Sequence, residues 1–112
     1  METIWSKKSD DILRVGCFLG SVGVRNWALT KEQSLIALNN FEDEGIAILG
    51  GDVYEMGSEG LQPNYDSWYC ERKENEKMSL YLSRSILKAR NYIVNYKSKR
   101  KTECFFVIVP ES

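Results

Sequence analysis

Carboxylates are the side chains of this 112-residue sequence whose spacing could do chemistry. Asp52, Glu55 and Asp66 lie on two consecutive segments that we predict to form a hairpin, where they could face one another as a general acid and base must. Solvated acidic residues are common on hairpins, because charged side chains rarely leave water. We therefore interpret these three carboxylates as solvated or partner-binding groups rather than as a catalytic pair.

The usual nucleophilic and nucleotide-binding arrangements each lack a necessary part. The sequence contains no histidine, so Ser21 and Ser58 have no imidazole base, and a cysteine nucleophile would lack its usual partner. Gly16, Gly20 and Gly23 come close to the spacing of a dinucleotide-binding loop, but no predicted strand precedes them. We predict that the protein is not an enzyme and uses no cofactor.

Cys17, Cys70 and Cys104 are widely spaced and have apolar or aromatic neighbours, a pattern typical of reduced, partly buried thiols in the cytoplasm. Zinc sites need closely spaced ligand pairs, so we predict no metal site. The first ten residues lack the apolar core of a secretory signal, and no run of about 18 apolar residues could cross a membrane. The sequence therefore predicts a cytoplasmic protein without membrane contact.

The composition is that of one folded domain. Hydrophobic residues make up 43% of the chain, charged residues 28% and aromatic residues 12%, values that argue against intrinsic disorder. A chain of this length supplies one hydrophobic core, and dividing it would leave two very small ones. We predict a single domain over residues 1–112.

The first half of the chain contains two helical patterns. Ser6 or Ser9 could cap a first helix that runs to about Leu19. Thr30–Gln33 has the sequence of a capping box, in which a threonine hydroxyl and a glutamine amide satisfy backbone donors of the first turn. Gly45 would close this second helix in a left-handed conformation.

The second half contains the strands and the strongest helix. We predict a strand over Ile46–Tyr54, with a bulge or a close approach of another strand at Gly50–Gly51. Its partner strand covers Leu61–Cys70, where Pro63 suits the edge of a sheet. A helix over Lys77–Tyr96 and an interior strand at Phe105–Val109 follow. The fold class that follows is α+β, with a small, mostly antiparallel sheet covered by about three helices.

Aromatic residues are concentrated in Tyr65–Tyr69. If this segment is a strand, Tyr65, Ser67 and Tyr69 lie on one face, whereas Asp66 and Trp68 lie on the other. Large rings must then occur on both faces. We expect one face to contribute to recognition, because tyrosine and tryptophan supply large contact areas with little loss of entropy.

Charge is segregated along the chain. Residues 42–76 contain ten acidic side chains and two basic ones, whereas residues 77–112 contain eight basic and two acidic ones. The acidic region could attract a basic protein, or the two regions could simply neutralise each other. Acidic and aromatic residues coincide in the hairpin, and there we predict a protein-binding surface. Its residues are Asp52, Tyr54, Glu55, Asp66, Trp68 and Glu71.

A basic cluster gives an alternative function. Lys97, Lys99, Arg100 and Lys101 could contact phosphates, as in a small regulator that binds nucleic acid or nucleotides. The formal net charge of −1 is low for a nucleic-acid-binding chain, so we interpret the cluster as a solvated loop.

Three segments resemble the immunity protein family numbered forty. They are Gly23–Thr30, Ile48–Tyr54 and Tyr65–Cys70, which occur in the family's order, and the resemblance extends over about residues 20–96. Some motif positions, such as Gly50 and Gly51, could also serve to maintain the fold. The family belongs to bacterial polymorphic-toxin and contact-dependent inhibition systems.

The resemblance implies a cytoplasmic protein that binds the C-terminal toxin domain of a sibling or neighbouring effector and occludes its active site or substrate surface. It implies no catalytic residues. Many such toxins are nucleases, whose grooves must be basic to hold phosphate, so an acidic inhibitor would occupy such a groove in place of the substrate.

Overall fold

The computed structural model describes residues 2–111, which form three α-helices and a five-stranded sheet. The helices are α1 (Lys7–Leu13), α2 (Lys31–Asp43) and α3 (Met78–Asn95), and a 3-10 turn spans Gly20–Val22. The strands are β1 (Cys17–Phe18), β2 (Trp27–Leu29), β3 (Ile48–Gly57), β4 (Gly60–Tyr69) and β5 (Cys104–Pro110).

All the strands pair antiparallel, in the order β1-β2-β5-β3-β4. β5 lies inside the sheet between β2 and β3, as its continuous apolar run predicts. β4 is an edge strand, which is where Pro63 can be accommodated without losing a ladder hydrogen bond. The predicted α+β class with a small antiparallel sheet is confirmed.

The three helices pack on one face of the sheet. Leu13, Phe41 and Ile93, one from each helix, share a core with Val53 and Ile108 of the sheet. Burying a side chain of this size contributes about 1.5–3 kcal/mol, so this single core is the main source of stability. The sheet consequently has one face beneath the helices and one face directed away from them.

The second helix begins and ends as the sequence predicts. Thr30 Oγ1 accepts a hydrogen bond from the Gln33 N–H at 3.1 Å, and Gln33 Oε1 accepts one from the Thr30 N–H at 3.0 Å. Gly45, just beyond the helix, adopts a φ of 72°. The capping box is therefore confirmed, and it joins β2 directly to α2.

The third helix also matches its predicted span, with Lys77 and Tyr96 as the flanking cap residues. Ile86, Ala89 and Ile93 are buried against the sheet. The C-terminal end of α3 brings Tyr96 close to β4, where its hydroxyl contacts Asp66.

The prediction for the first helix is wrong beyond its first turns. Ser6 does cap α1, since its hydroxyl accepts a hydrogen bond from the Ser9 N–H at 3.1 Å, but the helix ends at Leu13 rather than near Leu19. The residues that follow enter the sheet as β1, and β2 was not predicted at all.

These two short strands depend on contacts that are distant in sequence. Cys17 pairs with Ala28, and Ala28 pairs in turn with Val107 of β5. Gly16 permits the close approach, because a Cβ there would lie 2.6 Å from the carbonyl oxygen of Ala28. A local periodic pattern does not contain this information.

β3 and β4 form the predicted hairpin, joined by the two-residue turn Ser58–Glu59. The close approach at the glycine pair is confirmed: a Cβ on Gly51 would lie 2.6 Å from Cζ3 of Trp68, and one on Gly50 would lie 2.9 Å from Cα of Tyr69. The glycines therefore let β4 and the Trp68 indole lie directly against β3.

Candidate functional site

The sheet face opposite the helices is covered only in part. Leu19 and Val24, from the connection between β1 and β2, form a second small core with Ala28, Tyr54 and Val107 on this face. The half over β3, β4 and the end of β5 contains a shallow depression, and we call its lining residues the open sheet face. They are Leu49, Gly50, Asp52, Ser67, Tyr69 and Val109. Gly51 and Trp68 form part of its floor.

The depression has a volume of about 250 Å³, enough for one long side chain. Gly50 leaves space at its centre because it has no side chain. Leu49 and Val109 supply apolar walls, and the Tyr69 ring, 69% exposed, supplies an aromatic one. Asp52 adds the single carboxylate. Apolar walls, a ring and one anionic group are together suited to a lysine or arginine side chain, whose stem is apolar and whose head is cationic.

Asp52 is exposed, yet its carboxylate is partly desolvated by the neighbouring strands, and this burial raises its pKa above the ordinary value of 3.8. Within residues 2–111, no basic side chain lies within salt-bridge distance of it. The open sheet face therefore carries a carboxylate whose charge no cation of the described chain offsets.

Tyr54 and Trp68, both predicted as partner-binding residues, are buried in the two cores. Tyr54 is 6% exposed and packs with the covered half of the sheet face, where burial raises the pKa of its hydroxyl. Trp68 is 5% exposed on the opposite face and stacks on Tyr92 of α3, with 4.8 Å between ring centroids. Trp68 therefore lies beneath the open sheet face, whereas Tyr54 lies beside it under the β1–β2 connection, and neither ring is exposed to a partner.

Glu55 is occupied by hydrogen bonds within the chain. Its carboxylate accepts one from Ser98 Oγ at 2.6 Å, one from Thr102 Oγ1 and one from Asn64 Nδ2 at 3.2 Å. The bonds from Ser98 and Thr102 hold the pKa of Glu55 below its ordinary value. Glu55 thus ties the loop after α3 to the hairpin.

The register of the hairpin changes in the middle of β4. Asp52 pairs with Ser67, whereas Tyr54 pairs with Pro63, so that Val53 alone lies opposite residues 64–66 of β4. This bulge changes the direction of the side chains of residues 64–66, and bulges of this kind are common next to functional sites.

The bulge is held by a hydrogen-bond network centred on Tyr96. Asn64 Nδ2 donates to Tyr96 Oη at 2.7 Å, and the Tyr96 hydroxyl donates to Asp66 Oδ2 at 2.6 Å. The Asp66 N–H donates to Asn64 Oδ1 at 2.9 Å. Burial, and then the bond to Asp66, raise the pKa of Tyr96.

Tyr65 lies between Asn64 and Asp66, with a φ of 71° and 88% of its surface exposed. A non-glycine residue in this left-handed conformation costs about 1–2 kcal/mol.

Glu71 is exposed just beyond β4, and its carbonyl oxygen accepts a hydrogen bond from Arg84 Nη2 at 2.6 Å. Arg84 also pairs with Glu76 at 2.7 Å and donates from Nη1 to Cys70 Sγ at 3.1 Å. The guanidinium lowers the pKa of Glu76 to about 2. Arg84 therefore fixes the segment that carries Glu71.

The three carboxylates first considered as catalytic groups lie in different surroundings. Asp52 is on the open sheet face. Glu55 and Asp66 line a groove of about 560 Å³ at the other side of the hairpin, and each accepts hydrogen bonds from hydroxyl groups of the chain. The structure therefore does not bring Asp52 into a shared recess with either of the others.

The basic cluster is divided between two grooves. Lys97 and Lys101 line one groove together with Lys31, whereas Lys99 and Arg100 line the groove beside Glu55. The basic residues of α3 engage other partners: a carboxylate, a tyrosine ring and an asparagine. The nucleic-acid alternative gains no support from this arrangement.

Sequence reasoning missed two residues of the open sheet face, Leu49 and Val109, because both lie in runs predicted to be buried strands. Leu49 is 41% exposed, since the pairing of β3 with β5 shifts between Ile48 and Gly50. Ser67 and Tyr69 were correctly placed on one face by alternation, but nothing local indicated that the helices cover the other face.

No α-helix in the described chain is long and apolar enough to cross a membrane. Residues 2–111 also contain no group of three or more potential ligands that could hold a metal ion. Cys70 is buried and Cys104 partly buried, whereas Cys17 is exposed, unlike the partly buried thiol that was expected.

The chain matches a known protein family. A family model described as Immunity protein 40 matches residues 18–110, which include every strand of the sheet except the first residue of β1. No curated protein sequence matches the chain significantly.

Proposed function

Because this chain belongs to the immunity protein 40 family, we propose that it binds the C-terminal domain of a cognate bacterial toxin in the cytoplasm and occludes the toxin's active site or substrate surface. The observation that carries this proposal is the family match over residues 18–110. Inhibition is by binding, without enzymatic turnover.

The open sheet face is the docking surface in this proposal. It presents apolar and aromatic area next to acidic side chains, and protein interfaces commonly have a core of this composition with a polar rim. Of the residues predicted from the sequence, Asp52 lies on this face. Asp66 lines the groove beside Glu55, and Glu71 lies beyond the end of β4. Tyr54 and Trp68 are core residues, and Glu55 binds the loop after α3.

A basic side chain of the toxin fits the depression at Gly50. Its cation would face Asp52, and its stem would lie along Leu49 and Val109. Pairing would offset the charge of Asp52, which is partly desolvated and has no cation partner in the described chain. The toxin surface is therefore expected to be basic where it meets the hairpin.

A basic toxin surface agrees with a nuclease as the target, because nucleases must hold phosphate. The segregated charge of this chain supports the same idea. Residues 42–76 contain ten acidic side chains, and such a region accelerates the encounter with a basic groove.

Co-expression tests the proposal. The toxin domain encoded next to this chain's gene should stop bacterial growth when produced alone and permit growth when this chain is produced with it. The purified proteins should elute together as a stable complex. Continued growth arrest, together with separate elution of the two folded proteins, would refute the proposed function. Tight binding of duplex DNA or RNA by this chain would favour the nucleic-acid alternative instead.

A further inference from the structure

The exposed ring of Tyr65 is held on a backbone that few residue types adopt. Its φ of 71° lies in the left-handed region, where glycine, asparagine and aspartate predominate. Burial of the side chain does not offset this strain, because 88% of the side chain is exposed. Strained residues persist where the surrounding structure over-determines them, and they concentrate at functional sites.

The surroundings of Tyr65 do over-determine its conformation. Asn64 and Asp66, its two neighbours in sequence, are both tied to the Tyr96 hydroxyl at 2.7 and 2.6 Å. Asn64 is also tied to Glu55 of β3 at 3.2 Å. The flanking residues are thus anchored to α3 and to β3, so the backbone that carries the Tyr65 ring is held in place before any partner binds.

We propose that Tyr65 is the principal aromatic anchor for the toxin domain and that Tyr96 is the residue that positions it. This inference rests on the proposed function, and it extends the docking surface from the open sheet face along β4 to the bulge at residues 64–66. A tyrosine on a held backbone has only two side-chain torsions left to order on binding, and tyrosines often dominate the energy of an interface. The toxin recess that receives the ring is apolar, to match the aromatic surface that Tyr65 exposes.

Tyr69, the other exposed tyrosine of β4, is already engaged. Lys88 Nζ lies 5.5 Å from the centroid of its ring, so one face of Tyr69 is in contact with a cation of this chain. Tyr65 is the more exposed of the two rings and lies in the strained bulge. It is therefore the better candidate for insertion into a partner.

Replacement of Tyr65 separates stability from binding. Tyr65→Asn keeps a residue that tolerates the left-handed conformation, so its melting temperature should equal or exceed that of the wild type. Its affinity for the purified toxin domain should fall by about 30-fold or more, the effect typical of a dominant interface residue. Tyr65→Phe keeps the ring and should bind within about threefold of the wild type. An unchanged affinity for folded Tyr65→Asn would overturn the inference.

Tyr96→Phe tests the positioning role through a double-mutant cycle. This variant loses the hydroxyl that holds Asn64 and Asp66 but keeps the ring. It should weaken toxin binding about fivefold in the wild-type background and have no effect in the Tyr65→Ala background, because both changes act through one ring. Equal losses in the two backgrounds would reduce Tyr96 to a structural residue and overturn the positioning role.

The same titrations distinguish failure of this inference from failure of the proposed function. If wild-type protein binds the toxin domain and all the Tyr65 variants bind equally well, the anchor is wrong and the proposed function stands. If wild-type protein does not bind the toxin domain, both are wrong. Concentration-dependent self-association that Tyr65→Asn abolishes, with unchanged toxin affinity, would assign the ring to a second copy of this chain and overturn the inference.

Discussion

At the residue scale, the acidic side chains of the hairpin differ in whether the chain itself supplies their partners. Asp52 has no cation partner in the described chain, whereas Glu55 and Asp66 accept hydrogen bonds from hydroxyl groups of the loop and α3. Acidic residues that look alike in the sequence therefore have different roles. Tyr54 and Trp68 likewise proved to be core residues, because strand alternation gives two faces without indicating which one the helices cover.

Asp52→Asn should make the protein at least as stable at pH 7 and weaken its binding to the toxin. The pKa of Asp52 is raised in the folded state, so ionisation there is disfavoured and stability falls as the pH rises from about 3.8 through the folded pKa. The uncharged amide of the asparagine variant removes the free-energy cost of a partly desolvated charge. Loss of a hydrogen bond to a charged group typically costs about 1.5–3 kcal/mol of binding free energy.

Thermal melting at pH 3 and pH 7, together with calorimetric titration against the toxin domain, would measure both effects. Glu42→Gln, an exposed neutralisation at the end of α2, is the matched control and should leave affinity unchanged. If Asp52→Asn melts at a lower temperature than the wild type at pH 7, the Asp52 carboxylate has a stabilising partner in the folded chain and this interpretation is wrong.

Glu76 should make the protein sensitive to acid. Its pKa is lowered from 4.5 to about 2 by Arg84, so the stability from this pair is complete above about pH 4.5 and is lost as the pH falls towards 2. Urea unfolding of the wild type and of Glu76→Gln should show a difference in midpoint at pH 6 that shrinks steadily towards pH 2. A difference that is independent of pH would exclude this ion pair as its cause.

At the element scale, the parts that the sequence predicted are those specified locally. The capping box at Thr30, the period of α3 and the apolar run of β5 are all contained within short segments. β1 and β2 were missed because their partner residue, Val107, lies far away in the chain. The bulge at Tyr65 was missed for a similar reason, since Tyr96 of the α3 cap holds it in place.

Thr30→Ala should lower the free energy of unfolding by about 1 kcal/mol, the usual effect of removing a threonine N-cap. The substitution removes the acceptor for the Gln33 N–H at the point where β2 becomes α2. Denaturant unfolding would measure the change. Glu32→Ala, at an exposed position in the first turn, is a control that keeps the cap. Equal unfolding midpoints for Thr30→Ala and the wild type would mean that the capping box contributes nothing.

At the scale of the whole molecule, the three helices occupy one face of the sheet and leave half of the other face exposed. Family membership and fold class were accessible from sequence motifs and local patterns. The position of the proposed docking surface depends on which face the helices cover, and packing across the whole chain decides that. The central prediction is that the toxin domain contacts the open sheet face.

The affinity of the toxin domain for Ser67→Arg tests that claim most directly. Ser67 lines the depression opposite Asp52, so an arginine there fills the space, pairs with the carboxylate and repels a basic partner. Ser83→Arg, at an exposed position on α3, introduces the same residue on the helical side of the molecule. We expect Ser67→Arg to bind the toxin about 30-fold more weakly or worse and Ser83→Arg to bind like the wild type. Wild-type affinity for a folded Ser67→Arg protein would contradict the account.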